Sequence, residues 1–428
     1  MSDLVPDGWE KKQLSQVCDV IGGGTPERSN MSYWGGDIPW LSPTEVTSLK
    51  TRYISETKES ITNIGLHKSS AKLLPAGTLL MTSRASIGYV AINTIPLATN
   101  QGFQSLQCHN SMFNEFLYQS ITWMRPELER LSAGSTFSEI SSKNVKTVKI
   151  IVPPLPEQQK IAAILSSVDE VIEKTQAQIN KLKDLKTGMM QELLSPREGQ
   201  ATNINNPQGE SKNSLHHTEF KDSPLGRIPI GWEVESIEDV LDRIIDYRGK
   251  SPPKSEIGVP LITAKNIRQG FINKEPREYI YEEKFEAWMV RGIPRHGDIF
   301  ITTEAPLGNI ARVPKYKFAI GQRVLTLSPK VTVTSDYLFY VMQGTCFKEQ
   351  LDLQSTGSTV AGIKQSTFRK IKLPIPPIFE QEYITKPLNA LNQRIDTVSV
   401  KLDHYKNLKK ALMQDLLTGK VRVKVEAA

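Results

Sequence analysis

A seven-residue segment, Pro153-Pro154-Leu155-Pro156-Glu157-Gln158-Gln159, recurs at an offset of 223 as Pro376-Pro377-Ile378-Phe379-Glu380-Gln381-Glu382. Each copy opens a long run with regularly spaced apolar residues. The first run carries Ile161, Leu165, Val168, Ile172, Thr175, Ile179 and Leu182. The second, at the same offset, carries Ile384, Leu388, Leu391, Ile395, Val398, Leu402 and Tyr405. Alternating steps of four and three are a heptad seam, so each run predicts a long helix with one apolar stripe. The stripe is expected to continue through Leu185, Met189 and Leu193, matched by Leu408, Leu412 and Leu416. A lone stripe is unstable in water and needs a partner. Either each helix packs on its own domain, or the two pair with each other, and the length of the stripe favours pairing. Each helix would then run about 55–60 Å at 1.5 Å per residue.

The duplication extends beyond the helices. Pro6-Asp7-Gly8-Trp9-Glu10 matches Pro229-Ile230-Gly231-Trp232-Glu233, and Gly134-Ser135-Thr136 matches Gly357-Ser358-Thr359, both at the same offset. Pro39 and Gly77 find counterparts at Pro260 and Gly297 with slightly shorter offsets. Landmarks recur in order while the residues between them differ, a pattern that keeps a fold and varies a surface. Each half reads as α+β. Strands are expected at 78–82, 89–92, 145–152, 299–303, 324–327 and 371–375, with helices at 113–130 and 335–350. Trp9, Trp40 and Trp232 read as core. The second long helix has Pro387 where the first has Ile164, which predicts a kink or a start near 386–387. Residues 195–223 read as an exposed linker.

Enzyme motifs fail on inspection. Gly249-Lys250-Ser251 lacks the P-loop glycine, since Ile244 stands there. Ser251-Pro252-Pro253-Lys254 has a lysine where an amino-methyltransferase would place an aromatic. Glu56-Thr57-Lys58 and Glu282-Glu283-Lys284 are short nuclease-like elements without a partner Asp. Gly22-Gly23-Gly24 is a turn. His216-His217 have no further ligands, so neither a catalytic residue nor a metal site is expected. Three scattered cysteines argue against a disulfide framework and for a reducing cytoplasm. No segment is apolar enough for a membrane span or a signal peptide. The net charge of +7 permits nucleic-acid binding without demanding it.

These landmarks together resemble the specificity (S) subunit of type I restriction–modification enzymes. The likeness covers nearly the whole chain and includes the paired helix ends Met189-Met190-Gln191-Glu192-Leu193-Leu194 and Leu412-Met413-Gln414-Asp415-Leu416-Leu417. It implies an α+β fold with two similar globular target-recognition domains separated by a long antiparallel two-helix coiled coil, with internal pseudo-two-fold symmetry. The expected segments are 1–152, a spacer at 153–194, the linker 195–223, a second domain at 224–375, a second spacer at 376–418, and a tail at 419–428.

The resemblance implies a non-catalytic chain that recognises a split sequence in double-stranded DNA, one domain per half-site. It also implies two methyltransferase (M) subunits, which carry S-adenosylmethionine, and restriction (R) subunits, which use ATP and magnesium. No cofactor is expected in this chain. Met189 and Met190 suit either an M-subunit contact or helix packing. DNA contact would fall to Lys68, Lys72 and Arg84 in the first domain, and to Arg248, Lys250, Lys265, Arg268 and Arg323 in the second. Two other readings compete. An autonomous DNA-modifying enzyme would need a cofactor motif. A scaffold binding only proteins would not explain two diverged globular domains.

Overall fold

The computed structural model describes residues 5–49, 51–132, 139–195, 217, 219–247, 251–357 and 361–425. The chain divides into two compact units, Met1–Ile179 with Val398–Ala428, and Asn180–Thr397. Both are α+β, and both are built on the same plan.

In the first unit, Leu79–Thr82 is a wholly buried central strand. It lies between Phe103–Cys108 and Val90–Asn93 in a five-stranded sheet. Side chains alternate across a strand, so each face builds its own core. Leu79, Met81 and Leu106 pack with Phe116, Leu117 and Ile121 of helix Asn114–Ser132. Leu80, Ala91 and Phe103 pack on the other side with Leu41, Val46 and Ile54.

The second unit repeats this with Ile299–Thr303 as the buried strand. Ile299, Ile301 and Leu325 join Tyr337 and Leu338. Phe300, Ala311 and Val324 join Tyr247, Val259 and Leu261. Both units share a parallel pairing of a short strand, Trp40 opposite Ala98 and Leu261 opposite Ala319. Trp9, Trp40 and Trp232 are all buried.

Several boundaries depart from the expectations. Residues 142–147 form a helix, Ser142–Thr147, because Ser141 accepts from the Asn144 N–H at 3.2 Å and caps it. The strand is therefore only Lys149–Val152. The helix expected at 335–350 is two, Ser335–Val341 and Thr345–Leu353, broken at Gly344. Within the expected linker, Phe220–Ser223 forms a hairpin with Gly226–Pro229, and His217 packs edge-on against Trp232.

The two long helices are Leu155–Leu194 and Ile378–Leu417, 40 residues each. The second starts at Ile378 and continues through Pro387. Its first turns are held from outside, which overrides the proline. Gln381 accepts from Thr334 N–H at 2.8 Å and donates to Thr332 O at 3.0 Å and Pro376 O at 2.8 Å. Gln158 does the same in the first unit, accepting from Phe113 N–H at 2.8 Å and donating to Ser111 O and Pro153 O. Trp9 donates to Glu157 at 3.2 Å, and Trp232 to Glu380 at 2.8 Å. The repeated Pro-Pro-x-x-Glu-Gln segment is thus a structural clamp. Its Glu takes the tryptophan just ahead of the strand Glu10–Gln13 or Glu233–Ser236, and its Gln satisfies the loop ahead of the domain's own helix.

In each unit the end of one long helix lies beside the start of the other. In the first unit, Lys409 pairs with Asp169 at 2.6 Å, and Met413, Leu416 and Leu417 share a core with Ile161 and Leu165. In the second, Leu193 and Leu194 share a core with Ile384 and Leu388. The helices therefore run antiparallel. Along the seam, Ile161, Leu165, Ile179, Leu388, Ile395, Val398 and Leu402 are buried. Val168, Ile172, Leu182, Leu391 and Tyr405 are half-buried. The stripe does not continue through Leu185 and Leu408, which are 52% and 42% exposed. At the helix ends the buried face turns to Leu193–Leu194 and Leu416–Leu417, which meet the globular cores instead of a helix seam.

The tail is also structured. Gly419 adopts φ +71, and a Cβ there would collide with the Pro6 ring. Only glycine fits this close approach. The chain then brings the Arg422 guanidinium to Glu157 at 2.6 and 3.0 Å, with a further bond to Asp7 O at 2.8 Å.

Candidate nucleic-acid interface

In the first unit the loops converge on the turn at 100–102. Asn100 N–H donates to Leu41 O at 3.0 Å, and its side chain accepts from Gly102 N–H at 2.7 Å. Ser83 N–H donates to Gly102 O at 2.7 Å, which joins the end of the central strand to this turn. The glycine run after Cys18–Gly22 lies directly against it. A Cβ on Gly23 would collide with Asn100 O, and one on Gly24 with Ala71 N. Where a turn is expected, Gly22 ends the strand and Gly23-Gly24 run on as irregular backbone, and their lack of side chains lets three segments meet. Thr25, at its end, donates its hydroxyl to the Gln101 side-chain oxygen.

This convergence collects the cations expected from sequence. Lys68 and Lys72 are exposed and flank the 70–71 segment that touches Gly24. Arg84 follows the strand end and pairs with Glu139 at 2.9 Å. Its neighbour Ala85 has φ +57, a conformation that non-glycine residues adopt at some energetic expense and that concentrates at functional loops.

The second unit repeats the arrangement. Gly321 N–H donates to Ile262 O at 2.7 Å, and Thr303 N–H to Arg323 O at 3.0 Å. Arg323 sits in the turn, with φ +67, and pairs with Glu304 at 2.7 Å. Ala305, the counterpart of Ala85, has φ +48. Gln322 donates to the Ser251 hydroxyl at 3.4 Å. Lys265 is exposed in the loop that meets the turn through Thr263. Arg268 is half-buried and donates to Ile267 O at 3.2 Å, so its guanidinium is partly turned to its own backbone. Arg248, Lys250 and the Gly134-Ser135-Thr136 segment lie outside the described residues. The segments after Gly-Ser-Thr are fastened alike: Ile140 N–H donates to Ser83 O, and Ile363 N–H to Thr303 O.

Sequence reasoning passes over Gln101 and Gln322. Their signal is a glutamine at the same place in each turn. It is hidden because the residues on either side differ.

Burial pushes the thiols of Cys18 and Cys108 up to about 12, so neither is a thiolate near neutral pH. Among the described residues no group of His, Cys, Asp and Glu could hold a metal ion. Among them, too, no helix is long and apolar enough to cross a membrane.

Two diverged copies of one domain, each with loops converging on one turn and each clamped to a long helix, make this a duplicated two-domain protein. The type I restriction modification DNA specificity domain matches residues 6–184 and 229–403. The chain belongs to this family, the specificity component of type I restriction–modification systems and not their catalyst. It is 27% identical over 427 residues to the type I restriction enzyme MjaIX specificity subunit of Methanocaldococcus jannaschii, covering 98% of this chain and 95% of that one. It is 19% identical to the EcoKI specificity subunit of Escherichia coli K12, covering 99% and 90%. Its fold matches the type I S subunit from M. genitalium with a TM-score of 0.56 at 15% identity, covering 97% of both chains.

Proposed function

We propose that this chain selects the DNA target of a type I complex, each globular domain contacting one half of a split duplex sequence. The observation that carries this reading is the contrast between the two copies. The clamp of Trp, Glu and Gln is the same in both, while the loops around 100–102 and 321–323 differ in most residues. A common scaffold suits common partners, and unlike loops suit unlike half-sites. Lys68, Lys72, Arg84, Arg248, Lys250, Lys265, Arg268 and Arg323 hold the phosphate backbone, and neighbouring polar side chains read base edges.

The helix pair, along the seam from Ile161 to Leu182 and from Leu388 to Tyr405, sets the distance between half-sites. Two methyltransferase subunits dock on the chain, with Met189 and Met190 at the helix end as one contact, and restriction subunits join through them. S-adenosylmethionine, ATP and magnesium belong to those partners, and the complex works in the cytoplasm.

The test uses the full chain assembled with its methyltransferase subunits and a random-sequence duplex pool. The expected result is a split consensus. Inserting one heptad in both helices lengthens the spacer by about 10 Å, roughly three base pairs. Enrichment of no sequence, or methyl transfer from labelled S-adenosylmethionine by the chain alone, would overturn the reading.

A further inference from the structure

We infer that Gln101 and Gln322 each read the adenine of an A·T pair, one in each half of the target. The inference rests on the DNA-recognition reading above and adds to it the side chain and the base.

The two residues occupy one structural position. Each is the second residue of the turn that leads from a short strand, Ala98–Thr99 or Ala319–Ile320, into a long one, Phe103–Cys108 or Val324–Pro329. Their neighbours are not kept: Asn100 corresponds to Gly321, and Gly102 to Arg323. The glutamine is kept although it is not spent on backbone groups. Gln158 and Gln381, also kept, are 1% and 0% exposed and use both ends on backbone groups. Gln101 is exposed and Gln322 half-buried, and each bonds a hydroxyl.

That hydroxyl recurs as well. Thr25 and Ser251 come from loops of different sequence, Gly23-Gly24-Thr25-Pro26 and Lys250-Ser251-Pro252-Pro253. One hydrogen bond uses one of the four positions on a carboxamide. It fixes the side chain in place and leaves an acceptor and a donor side by side. Pre-ordering of this kind lowers the entropy lost on binding.

An adenine edge in the major groove presents the N6 amino donor beside the N7 acceptor, which a carboxamide matches with two bonds. A guanine edge offers two acceptors there and suits arginine. A phosphate accepts only, and so would use half of a carboxamide. The flanking cations, Arg84 in one unit and Arg323 in the other, are held by Glu139 and Glu304, and would exchange those carboxylates for phosphates on DNA.

The experiment compares Gln101→Ala and Gln322→Ala in the full chain, assembled with its methyltransferase subunits and selected on the random duplex pool. Each variant should lose preference at one A·T pair by roughly ten- to a hundredfold, in one half-site only, and the two should affect opposite halves. Gln101→Glu and Gln322→Glu should move that preference from adenine towards cytosine, whose amino group a carboxylate accepts. An unchanged consensus overturns the inference, as does an even weakening across all sequences, which marks a backbone contact. A large drop in thermal stability of the alanine variants also overturns it, since the glutamine would then be structural. If the unaltered assembly selects no split sequence, the recognition reading itself has failed, a result distinct from these.

Discussion

The indole N–H of Trp232 donates to Glu380 at 2.8 Å, across 148 residues of sequence. Trp9 and Glu157 repeat the bond at 3.2 Å with the same separation. What differs is the second partner that completes each carboxylate. Glu157 receives the bidentate guanidinium of Arg422, while Glu380 has the His217 ring nitrogen at 2.7 Å.

This difference predicts unequal responses. Trp232→Phe leaves Glu380, 3% exposed, with a weaker remaining partner. It should destabilise its unit by about 1–3 kcal/mol, the penalty of an incompletely paired buried acceptor. Trp9→Phe should be milder because Arg422 still holds Glu157. Urea unfolding of both variants checks this, and equal losses would show that the Arg422 guanidinium is immaterial.

Gln381→Ala removes the partner of one backbone N–H and two carbonyls, from Thr334, Thr332 and Pro376. The expected loss is about 2–4 kcal/mol. Gln381→Glu should be no better, since a carboxylate can accept from Thr334 but only repels the two carbonyls. Differential scanning calorimetry of both variants provides the comparison.

Removing residues 398–428 should destabilise the N-terminal domain more than the C-terminal one. Met413, Leu416 and Leu417, all buried, close the core that contains Ile161 and Phe116. Losing one such side chain costs about 2–5 kcal/mol, and a whole domain has only about 5–15 kcal/mol in hand. Hydrogen exchange should show protection lost in Leu79–Thr82 and retained in Ile299–Thr303.

Lys186 predicts a pH effect. Burial first, and then the charge of Arg312, lower its amine from 10.5 to about 8. The first unit offers its corresponding Lys409 the carboxylate of Asp169. At the position equivalent to Asp169 the second unit has the neutral Asn392, which donates to Tyr340 at 2.6 Å. Between pH 8 and 10.5 the unfolded chain binds more protons than the folded one, so this group's contribution to stability rises with pH. Below about 8 both states are charged and the burial penalty is constant. Lys186→Met should therefore stabilise the chain at about pH 7, and its advantage should shrink by about pH 9.5. Parallel unfolding curves at the two pH values test the sign.

Lys68→Ala and Lys265→Ala should each reduce the salt dependence of DNA binding by about one ion while leaving the selected sequence unchanged. Binding titrations over a range of salt concentrations measure the slope.

The helices, the duplicated plan and the family are legible because periodicity and repetition survive in a linear sequence. The Pro-Pro-x-x-Glu-Gln copies mark the helix starts, though their meaning as a clamp depends on Trp9 and Trp232, which are distant in the chain. Pro387 is a strong local signal and points to a kink or a later helix start; the helix starts at Ile378 all the same, and the contacts of Gln381 that hold its first turns are not local. The heptad count extends the seam to Leu185 and Leu408. Only the packing of the helix ends shows that the buried face has turned by then.

The sequence by itself determined what repeats: two α+β domains, two long helices and a shared apolar stripe, since hydrophobic spacing dictates local structure. Tertiary structure decided what meets. It put the end of each helix on the other copy's domain, drew the tail back to Glu157 through Arg422, and set Gln101 and Gln322 beside their hydroxyls. Such contacts join positions far apart in the chain, and they form only when burial of the two cores fixes the paths of the loops between them.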